Sequence, residues 1–253
     1  MPNPFSLEGR NFLVTGASSG IGRACLGSIS ENGGNVIAVG RDRGRLEESL
    51  HGMDSDRCFG YQWDLQKVER IAELVGSVVR VHGKVSGLVH CAGIDATAPL
   101  ALLKAETFNN AFKINALAFF ELVRVLSKRA NCGLEASFVA MASVRGMFGA
   151  RGCAAYCASK AALINGVRSL ALELAPKKIR VNSVSPAFVK TKMLSELEER
   201  LGREAIKAIE NDHPLGFGES SDIANAVVFL LAPASKWITG TNLVADGGYS
   251  AGS

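Results

Sequence analysis

The stretch Thr15-Gly16-Ala17-Ser18-Ser19-Gly20-Ile21-Gly22 decides how this chain folds. It follows the apolar run at residues 12–14 directly and precedes a segment of helical period at residues 23–31. Glycines allow a tight turn from strand to helix, and they let backbone N–H groups approach a pyrophosphate that the helix N-terminus favours electrostatically. The spacing is G-x-x-x-G-x-G, one residue longer than the usual dinucleotide motif, so a purely structural glycine turn remains an alternative. The predicted phosphate-binding residues are Gly16, Ser18, Ser19, Gly20, Ile21 and Gly22.

Short apolar runs alternate along the chain with longer segments of helical period. The predicted strands lie at residues 12–14, 35–39, 58–62, 87–90, 137–141, 179–184 and 243–245. This alternation is typical of a parallel sheet covered on both faces, because each parallel connection needs a crossover. We therefore predict an α/β fold: a single Rossmann-type domain over residues 1–253, with a doubly wound sheet of seven parallel strands. Ligands are expected beyond the carboxyl ends of the strands.

The composition describes a folded globular chain. Of its 253 residues 47% are hydrophobic and 21% are charged, which argues against disorder, collagen and coiled coil. The net charge is +4, but the basic residues are scattered, so no nucleic-acid partner is predicted. The six cysteines are dispersed and the four histidines are isolated, so we predict no metal site.

The amino terminus shows no basic segment followed by an apolar core, and we therefore predict no secretory signal. The longest apolar stretch, at residues 224–234, is too short to cross a hydrocarbon layer of about 30 Å. No membrane association is predicted, and the expected compartment is the cytoplasm.

The residues at the end of the second predicted strand determine whether the site would bind a ribose with a free 2′-hydroxyl or one with a 2′-phosphate. An acid there would accept hydrogen bonds from a free 2′-hydroxyl, but the chain has Gly40 and Arg41. A small residue followed by arginine leaves room and charge for a 2′-phosphate, which favours NADP(H). Asp42 is the rival, because a shift in register would bring its carboxylate to the ribose and favour NAD(H).

Tyr156 and Lys160 form the candidate catalytic pair, since their i and i+4 spacing places both side chains on one face of a helix. At 4 Å and an effective dielectric near 20, a lysine charge interacts with a phenolate by about 4 kcal/mol. This interaction would lower the phenol pKa by up to roughly three units, into the range useful for proton transfer. Ser143 ends a predicted strand and is expected at the same sheet edge.

Taken together, these residues show that the chain resembles the short-chain dehydrogenase/reductases of the classical type over essentially its whole length. The resemblance rests on the 15–22 turn, Asp64-Leu65, Ala92-Gly93, Asn115, Ser143, Tyr156-x3-Lys160 and Asn182-Ser183-Val184-Ser185-Pro186. The chain departs from the family where the usual Asn-Asn-Ala-Gly is His90-Cys91-Ala92-Gly93, and where the usual Pro-Gly is Pro186-Ala187. The first departure concerns stability more than chemistry.

The resemblance implies a role for each catalytic position. Tyr156 would be the general acid that protonates a carbonyl oxygen as hydride arrives, and Ser143 would hydrogen-bond the same oxygen. Lys160 would bind the nicotinamide ribose hydroxyls and lower the Tyr156 pKa. Asn115 would lie at a helix distortion and hold a water that links Lys160 to solvent.

The resemblance also implies further cofactor contacts. Asp64 would bond the adenine edge, and Thr191 matches the position that contacts the nicotinamide amide. The remaining expected contacts are Leu65, Cys91, Ala92, Gly93, Pro186 and Val189. The general pattern is nearest to the 3-oxoacyl-carrier-protein reductases, and it implies a homotetramer with helices at about 107–128 and 155–175 in one interface.

Three segments, at residues 94–103, 144–153 and 187–216, are expected to line a mostly apolar substrate pocket. Residues 190–213 carry apolar side chains at helical spacing, which fits either a lid helix or an ordinary surface helix. Arg145 and Arg151 would meet an anionic substrate or a carrier-bound one, or serve as plain surface arginines. The predicted function is NADP(H)-dependent reduction of a ketone. The alternatives are NAD-dependent oxidation of an alcohol or sugar, and a nucleotide-binding regulator without activity.

Overall fold

Seven parallel strands form one sheet in the computed structural model, which describes residues 3–252. The strands are β1 (Asn11–Thr15), β2 (Asn35–Gly40), β3 (Cys58–Gln62), β4 (Val85–His90), β5 (Cys132–Met141), β6 (Arg180–Pro186) and β7 (Asn242–Ala245). Their order is β3-β2-β1-β4-β5-β6-β7, and every neighbouring pair is parallel. The predicted doubly wound, seven-stranded fold is confirmed.

Helices cover both faces of the sheet. They are α1 (Gly20–Glu31), α2 (Arg43–Leu50), α3 (Ile71–His82), α4 (Ala105–Phe112), α5 (Ala118–Leu126), α6 (Ala154–Leu174), α7 (Lys192–Leu201), α8 (Arg203–Asn211) and α9 (Ser220–Leu231). The apolar sides of α3, α5 and α6 pack on one face, and those of α1 and α9 pack on the other. Two continuous apolar cores result, one on each side of the sheet, and their burial stabilises the fold.

β5 begins earlier than predicted, at Cys132. Its first residues pair with β4 through a shift in register between Val85 and Gly87, and Glu135 has a φ of 51°. This irregular pairing interrupts the apolar alternation, which is why the sequence pattern indicates only the regular part of the strand.

A π-helical turn at Lys113–Leu117 joins α4 to α5. The expected helix distortion at Asn115 is therefore confirmed. Asn115 is fully buried in this turn, between sheet and α6. π turns widen a helix locally and expose backbone carbonyls to other partners, so they are frequent at functional sites.

The candidate lid segment is not one helix. Gly202 has a φ of 84° and divides it into α7 and α8, because a left-handed residue ends a helix. The apolar positions at 194, 197, 201 and 209 all line the same cavity. Both helices belong to one apolar wall.

β1 and β4 are neighbours in the middle of the sheet, and the strands that follow them in the chain extend toward opposite edges: β2 and β3 lie beyond β1, and β5 to β7 lie beyond β4. In doubly wound sheets this reversal opens a crevice at the carboxyl ends of the strands, where ligands bind. Within residues 3–252, none of the helices has the length and apolar character needed to cross a membrane.

Candidate active site

A cavity of about 1010 Å³ opens at the carboxyl ends of the central strands, where the order reverses. Its wall includes all the expected cofactor positions: Gly16, Ser18, Ser19, Gly20, Ile21, Gly22, Arg41, Asp64, Leu65, Cys91, Ala92, Gly93, Tyr156, Lys160, Pro186, Val189 and Thr191. Ser143 lies on the same wall. Asn115 does not, and its side chain is buried behind the cavity.

The glycine turn leaves the first amide groups of α1 open toward the cavity. Ser19 precedes the helix without a side-chain capping bond, so the early N–H groups are not used by that residue. Gly20 has a φ of 50°, and a Cβ built there would lie 3.2 Å from Thr191 Cγ2. The turn and the start of α7 thus form a narrow cradle that a side chain would fill. Such a cradle fits a pyrophosphate.

Three arginines follow β2 at alternate positions, and only two are candidates for an anion. Arg43 pairs with Glu47 at 2.8 Å. Arg41 and Arg45 line the cavity, and neither has an acidic partner within 4 Å among residues 3–252. Arg45 was not predicted, although its place four residues after Arg41, in a run of alternate arginines, was a usable signal.

Asp42, the rival for the ribose, caps α2. Its carboxylate accepts a hydrogen bond from the Arg45 backbone N–H at 3.0 Å. A Cβ added at Gly40 would meet Ser18 Cβ at 3.5 Å and Leu46 Cδ1 at 3.3 Å, so a carboxylate side chain has little room there. The end of the cavity next to β2 is therefore bordered by two arginines without an acidic partner among residues 3–252, and by an aspartate whose carboxylate already accepts a helix N–H.

Tyr156 and Lys160 come from the first turns of α6, and Ser143 follows β5. The Lys160 ammonium lies 5.6 Å from the centre of the Tyr156 ring and donates to the Met141 carbonyl at 2.7 Å. The Ser143 hydroxyl accepts from the Arg145 backbone N–H at 3.1 Å. A Cβ built at Gly93 would lie 3.5 Å from Lys160 Nζ, so the missing side chain keeps the approach to the ammonium clear.

The expected lowering of the Tyr156 pKa is wrong for the protein without ligand. Burial raises the pKa of Tyr156 to about 12, and only the Ser143 hydroxyl acts in the opposite direction at close range. Burial also lowers the pKa of Lys160 to about 8. The ammonium bonds a carbonyl rather than the phenol oxygen, so its charge does not offset the desolvation of the phenolate.

Lys160 should destabilise the free protein at neutral pH. Burial lowers its pKa from 10.5 to about 8. At ~1.36 kcal/mol for each pKa unit, this shift corresponds to a loss of about 3 kcal/mol in the free energy of unfolding while the amine is protonated. We expect Lys160→Met to raise the free energy of unfolding at pH 7 by about 1–2 kcal/mol, after the lost carbonyl bond is subtracted. The gain should shrink above pH 8, because the buried amine then loses its proton in the folded state.

Denaturant unfolding of both proteins at pH 7 and near pH 10 measures this difference. Lys67→Met, on an exposed side chain, controls for loss of a lysine. A Lys160→Met protein that is less stable than the wild type at pH 7 contradicts the prediction.

Asn115 holds the loop after β4 against α6. Its Nδ2 donates to the Ile94 carbonyl at 3.1 Å and to the Ser159 hydroxyl at 2.9 Å, and its Oδ1 accepts from the Ile94 N–H at 2.8 Å. The side chain thus fixes the loop that runs past the candidate catalytic pair. The expected water link to Lys160 stays a prediction.

His90 was not predicted as a site residue. Its Nε2–H donates to the Ile114 carbonyl of the π turn at 3.1 Å, which leaves Nδ1 to accept from the Thr15 hydroxyl at 2.9 Å. Burial lowers the pKa of His90 to about 3, so the ring stays neutral. One neutral ring therefore connects the end of β1 to the turn that carries Asn115.

An ion pair crosses the substrate end of the cavity. Arg200 of α7 donates to Asp95, after β4, at 2.9 Å, and the Thr97 hydroxyl donates to the same carboxylate at 2.5 Å. Both charged residues line the cavity. They lie 105 positions apart in the chain, so no local pattern could have indicated the pair.

Comparison with known proteins gives the family. The model described as Enoyl-(Acyl carrier protein) reductase matches residues 16–250. The chain is 32% identical over 245 residues to 3-oxoacyl-[acyl-carrier-protein] reductase FabG of Thermotoga maritima, covering 96% of this chain and 98% of that protein. It is 29% identical over 248 residues to the NAD-dependent glycerol dehydrogenase of Listeria innocua, covering 97% and 96%.

A solved structure agrees with this result. The crystal structure of the short-chain dehydrogenase/reductase SDR:Glucose/ribitol dehydrogenase from Brucella melitensis superposes with a TM-score of 0.90 at 30% identity, over 98% of this chain and 99% of that one. The chain belongs to the short-chain dehydrogenase/reductase family and is an oxidoreductase of that family.

Proposed function

We propose that this protein is an NADP(H)-dependent reductase that converts a ketone to a secondary alcohol, with Tyr156 as the general acid. The observation that carries the proposal is the shared wall of one cavity. Tyr156, Ser143 and Lys160 lie along the same wall as the glycine turn and the two arginines after β2 that have no acidic partner in the described part of the chain. A cofactor on the turn and a carbonyl beside Tyr156 would thus occupy adjoining parts of one space.

The residues present fit a dinucleotide with a 2′-phosphate. The glycine cradle would hold the pyrophosphate, Arg41 and Arg45 the 2′-phosphate, and Asp64 the adenine edge. Lys160 and Thr191 would hold the nicotinamide end. When bound, the nicotinamide supplies or accepts the hydride.

The chemistry assigned to the side chains follows from their protonation. The phenol of Tyr156 is protonated at neutral pH, as a tyrosine is at its ordinary pKa and also at the value of about 12 to which burial raises it, so it has a proton to donate. Ser143 would donate its hydroxyl to the carbonyl oxygen, where negative charge develops during reduction. Lys160 would be a cation next to the ribose and the phenol. In the reverse direction Tyr156 would act as the base.

NAD-dependent oxidation of an alcohol or sugar is the alternative. One observation favours it: an NAD-dependent glycerol dehydrogenase is among the relatives over nearly the whole chain. The engagement of Asp42 as the cap of α2 argues against it, because that carboxylate is already an acceptor for a helix amide. A regulator without activity is disfavoured, since all four catalytic positions are filled.

The proposed substrate class, compartment and oligomeric state follow from the family resemblance. A small carbonyl or alcohol, 3-oxoacyl-like and free or carrier-bound, would enter between the loop after β4 and the lid at 187–216. We propose one functional domain over 1–253, located in the cytoplasm. We also propose a homotetramer with α6 in one interface, as the family resemblance implies.

Arg41→Ala should weaken NADPH binding by roughly 10- to 100-fold, because a charge-assisted phosphate contact contributes about 1.5–3 kcal/mol. NADH binding should change by less than about 3-fold, since NADH carries no 2′-phosphate. The chain supplies its own probe: Trp63 lines the cavity, whereas Trp237 is 96% exposed. Energy transfer from Trp63 to the reduced nicotinamide, in a Trp237→Phe background, gives both affinities.

Arg43→Ala is the matched control, because Arg43 lies two residues away and pairs with Glu47. It should bind NADPH as the wild type does. Tighter binding of NADH than NADPH, unchanged in Arg41→Ala, would reject the NADP(H) proposal and support the oxidative alternative.

A further inference from the structure

Arg145 occupies an unusual place in the cavity wall. It follows Ser143 by two residues, and its guanidinium lies 5.7 Å from the ring centre of Phe148, 5.9 Å from that of Phe188 and 5.7 Å from that of Tyr249. Its Nη2 donates to the Tyr249 hydroxyl at 3.1 Å. Aromatic rings around a cation fix its position without neutralising its charge.

The turn that carries Tyr249 is itself rigid. The Asp246 carboxylate accepts from the Gly248 N–H at 3.0 Å, and from the N–H and hydroxyl of Ser250 at 2.9 Å and 2.5 Å. On its other side the Tyr249 ring stacks on His213, with ring centres 4.4 Å apart. The groups that hold the Arg145 guanidinium are therefore uncharged, and they do not neutralise its positive charge.

No ion pair to Arg145 occurs among residues 3–252. Asp95, an acid in the same cavity, is paired with Arg200 and also accepts from Thr97. A guanidinium has five N–H donors, and Arg145 uses one of them on a side chain. The remaining donors have no acidic partner among residues 3–252, and Arg145 lines the same cavity as Ser143 and Tyr156.

Arg151 differs from Arg145 in each of these respects. It is exposed at the mouth of the cavity and has no side-chain hydrogen bond or ion pair within the described residues. The sequence pattern does not distinguish the two arginines, whereas in the structure Arg145 packs among aromatic rings and Arg151 is exposed. A side chain that is already held in place loses little conformational entropy when it binds a ligand, whereas an exposed arginine loses more.

We propose that Arg145 binds the carboxylate of the substrate, and that the substrate is a small aliphatic keto acid. This proposal rests on the proposed ketone reduction. The carbonyl would lie between Ser143 and Tyr156, with the carboxylate a few bonds away on Arg145 in a charge-assisted, bidentate contact. The aliphatic part would contact the leucines of α7. A thioester carried by a protein has no free carboxylate to offer this group.

The reaction leaves the carboxylate unchanged. The carbonyl carbon gains a hydride, the carbonyl oxygen gains the Tyr156 proton, and the product is a hydroxy acid with the same negative charge. Arg145 would therefore bind substrate and product alike, and its main effect should be on KM and on the choice between charged and neutral ketones.

A comparison of free keto acids with their esters tests this proposal. Pyruvate, acetoacetate and levulinate are each compared with the corresponding methyl ester, and acetoacetate also with its N-acetylcysteamine thioester. NADPH oxidation gives kcat/KM for each compound. We expect the wild type to prefer at least one free acid over its ester by roughly 10-fold or more, and Arg145→Gln to remove that preference by lowering only the rate with the acid. The ester rate reports whether the variant is folded.

Further variants separate binding from mere support of the carboxyl-terminal turn. Tyr249→Phe keeps the ring but removes the hydrogen bond, and it should lower the acid preference by a smaller factor. Arg145→Lys keeps the charge and should retain part of the preference. Arg151→Gln removes a positive charge at the mouth, and it should change the acid-to-ester ratio by less than about 3-fold, because an exposed charge is screened.

Three results would overturn the proposal. In the first, esters or the thioester are reduced as well as or better than the acids, which leaves ketone reduction intact. In the second, Arg145→Gln lowers all rates equally, or Arg151→Gln has the same effect as Arg145→Gln. In the third, no carbonyl compound supports NADPH oxidation, and the proposed function then fails as well.

Discussion

Tyr156→Phe should lower kcat for ketone reduction by roughly 10²- to 10⁴-fold, the range that a positioned general acid contributes. The substitution removes one oxygen atom from a partly buried ring and leaves the apolar contacts in place. Because burial raises the pKa of the phenol to about 12, the wild-type residue carries its proton throughout the neutral range. The variant has no proton to give, whereas NADPH binding should stay within about 3-fold of the wild type.

Tyr61→Phe is the matched control. Tyr61 is partly buried and its hydroxyl contacts His82 Nε2 at 2.9 Å, away from the cavity. Its removal should leave kcat nearly unchanged. Steady-state NADPH oxidation measures activity, and energy transfer from Trp63 measures cofactor binding. Retention of more than a tenth of wild-type kcat in Tyr156→Phe would show that another group is the acid.

Gly16→Ala should be a strongly damaging single-methyl change in the cofactor turn. Gly16 has a φ of 64°, and a Cβ there would lie 2.6 Å from the Ala92 backbone nitrogen and 2.8 Å from the Cys91 carbonyl carbon. The methyl group would push β1 away from the end of β4. Left-handed strain of about 1–2 kcal/mol and overpacking of about 1–3 kcal/mol predict a total loss of stability of about 2–5 kcal/mol.

NADPH affinity should fall by more than 10-fold in the same variant, because the turn and the loop after β4 both face the cofactor. Gly27→Ala provides the control: it lies inside α1, and a Cβ there meets nothing within 4 Å. It should raise stability by about 0.5–1 kcal/mol, since alanine is the better helix former. Equal stability of the Gly16→Ala protein and the wild type, by denaturant unfolding, would refute the argument.

The sequence indicated the fold because its information is local. Apolar runs, the glycine turn and the crossover lengths are each read within a few residues, and together they specify a parallel sheet with one switch point. The catalytic pair was predictable for the same reason, since four residues of one helix bring Tyr156 and Lys160 to one face. The resemblance then supplied Ser143, Asn115 and the cofactor contacts.

What the sequence did not predict depends on distant contacts. The Lys160 bond to the Met141 carbonyl decides where the ammonium lies, and burial then reverses the expected direction of the Tyr156 pKa. The difference between Arg145 and Arg151 arises from Tyr249, more than a hundred positions away in the case of Arg145. Neither the burial of a side chain nor a contact between distant residues can be inferred from local sequence patterns.

The π turn at Lys113–Leu117 has a bearing on how this chain tolerates length changes. Deleting one residue from it would let α4 and α5 fuse into a continuous regular helix, with better backbone bonding. The same deletion would remove the widened turn from which Asn115 reaches Ile94 and Ser159, so these hydrogen bonds would be lost. A shortened chain would thus gain a straighter helix and lose the brace of its active site.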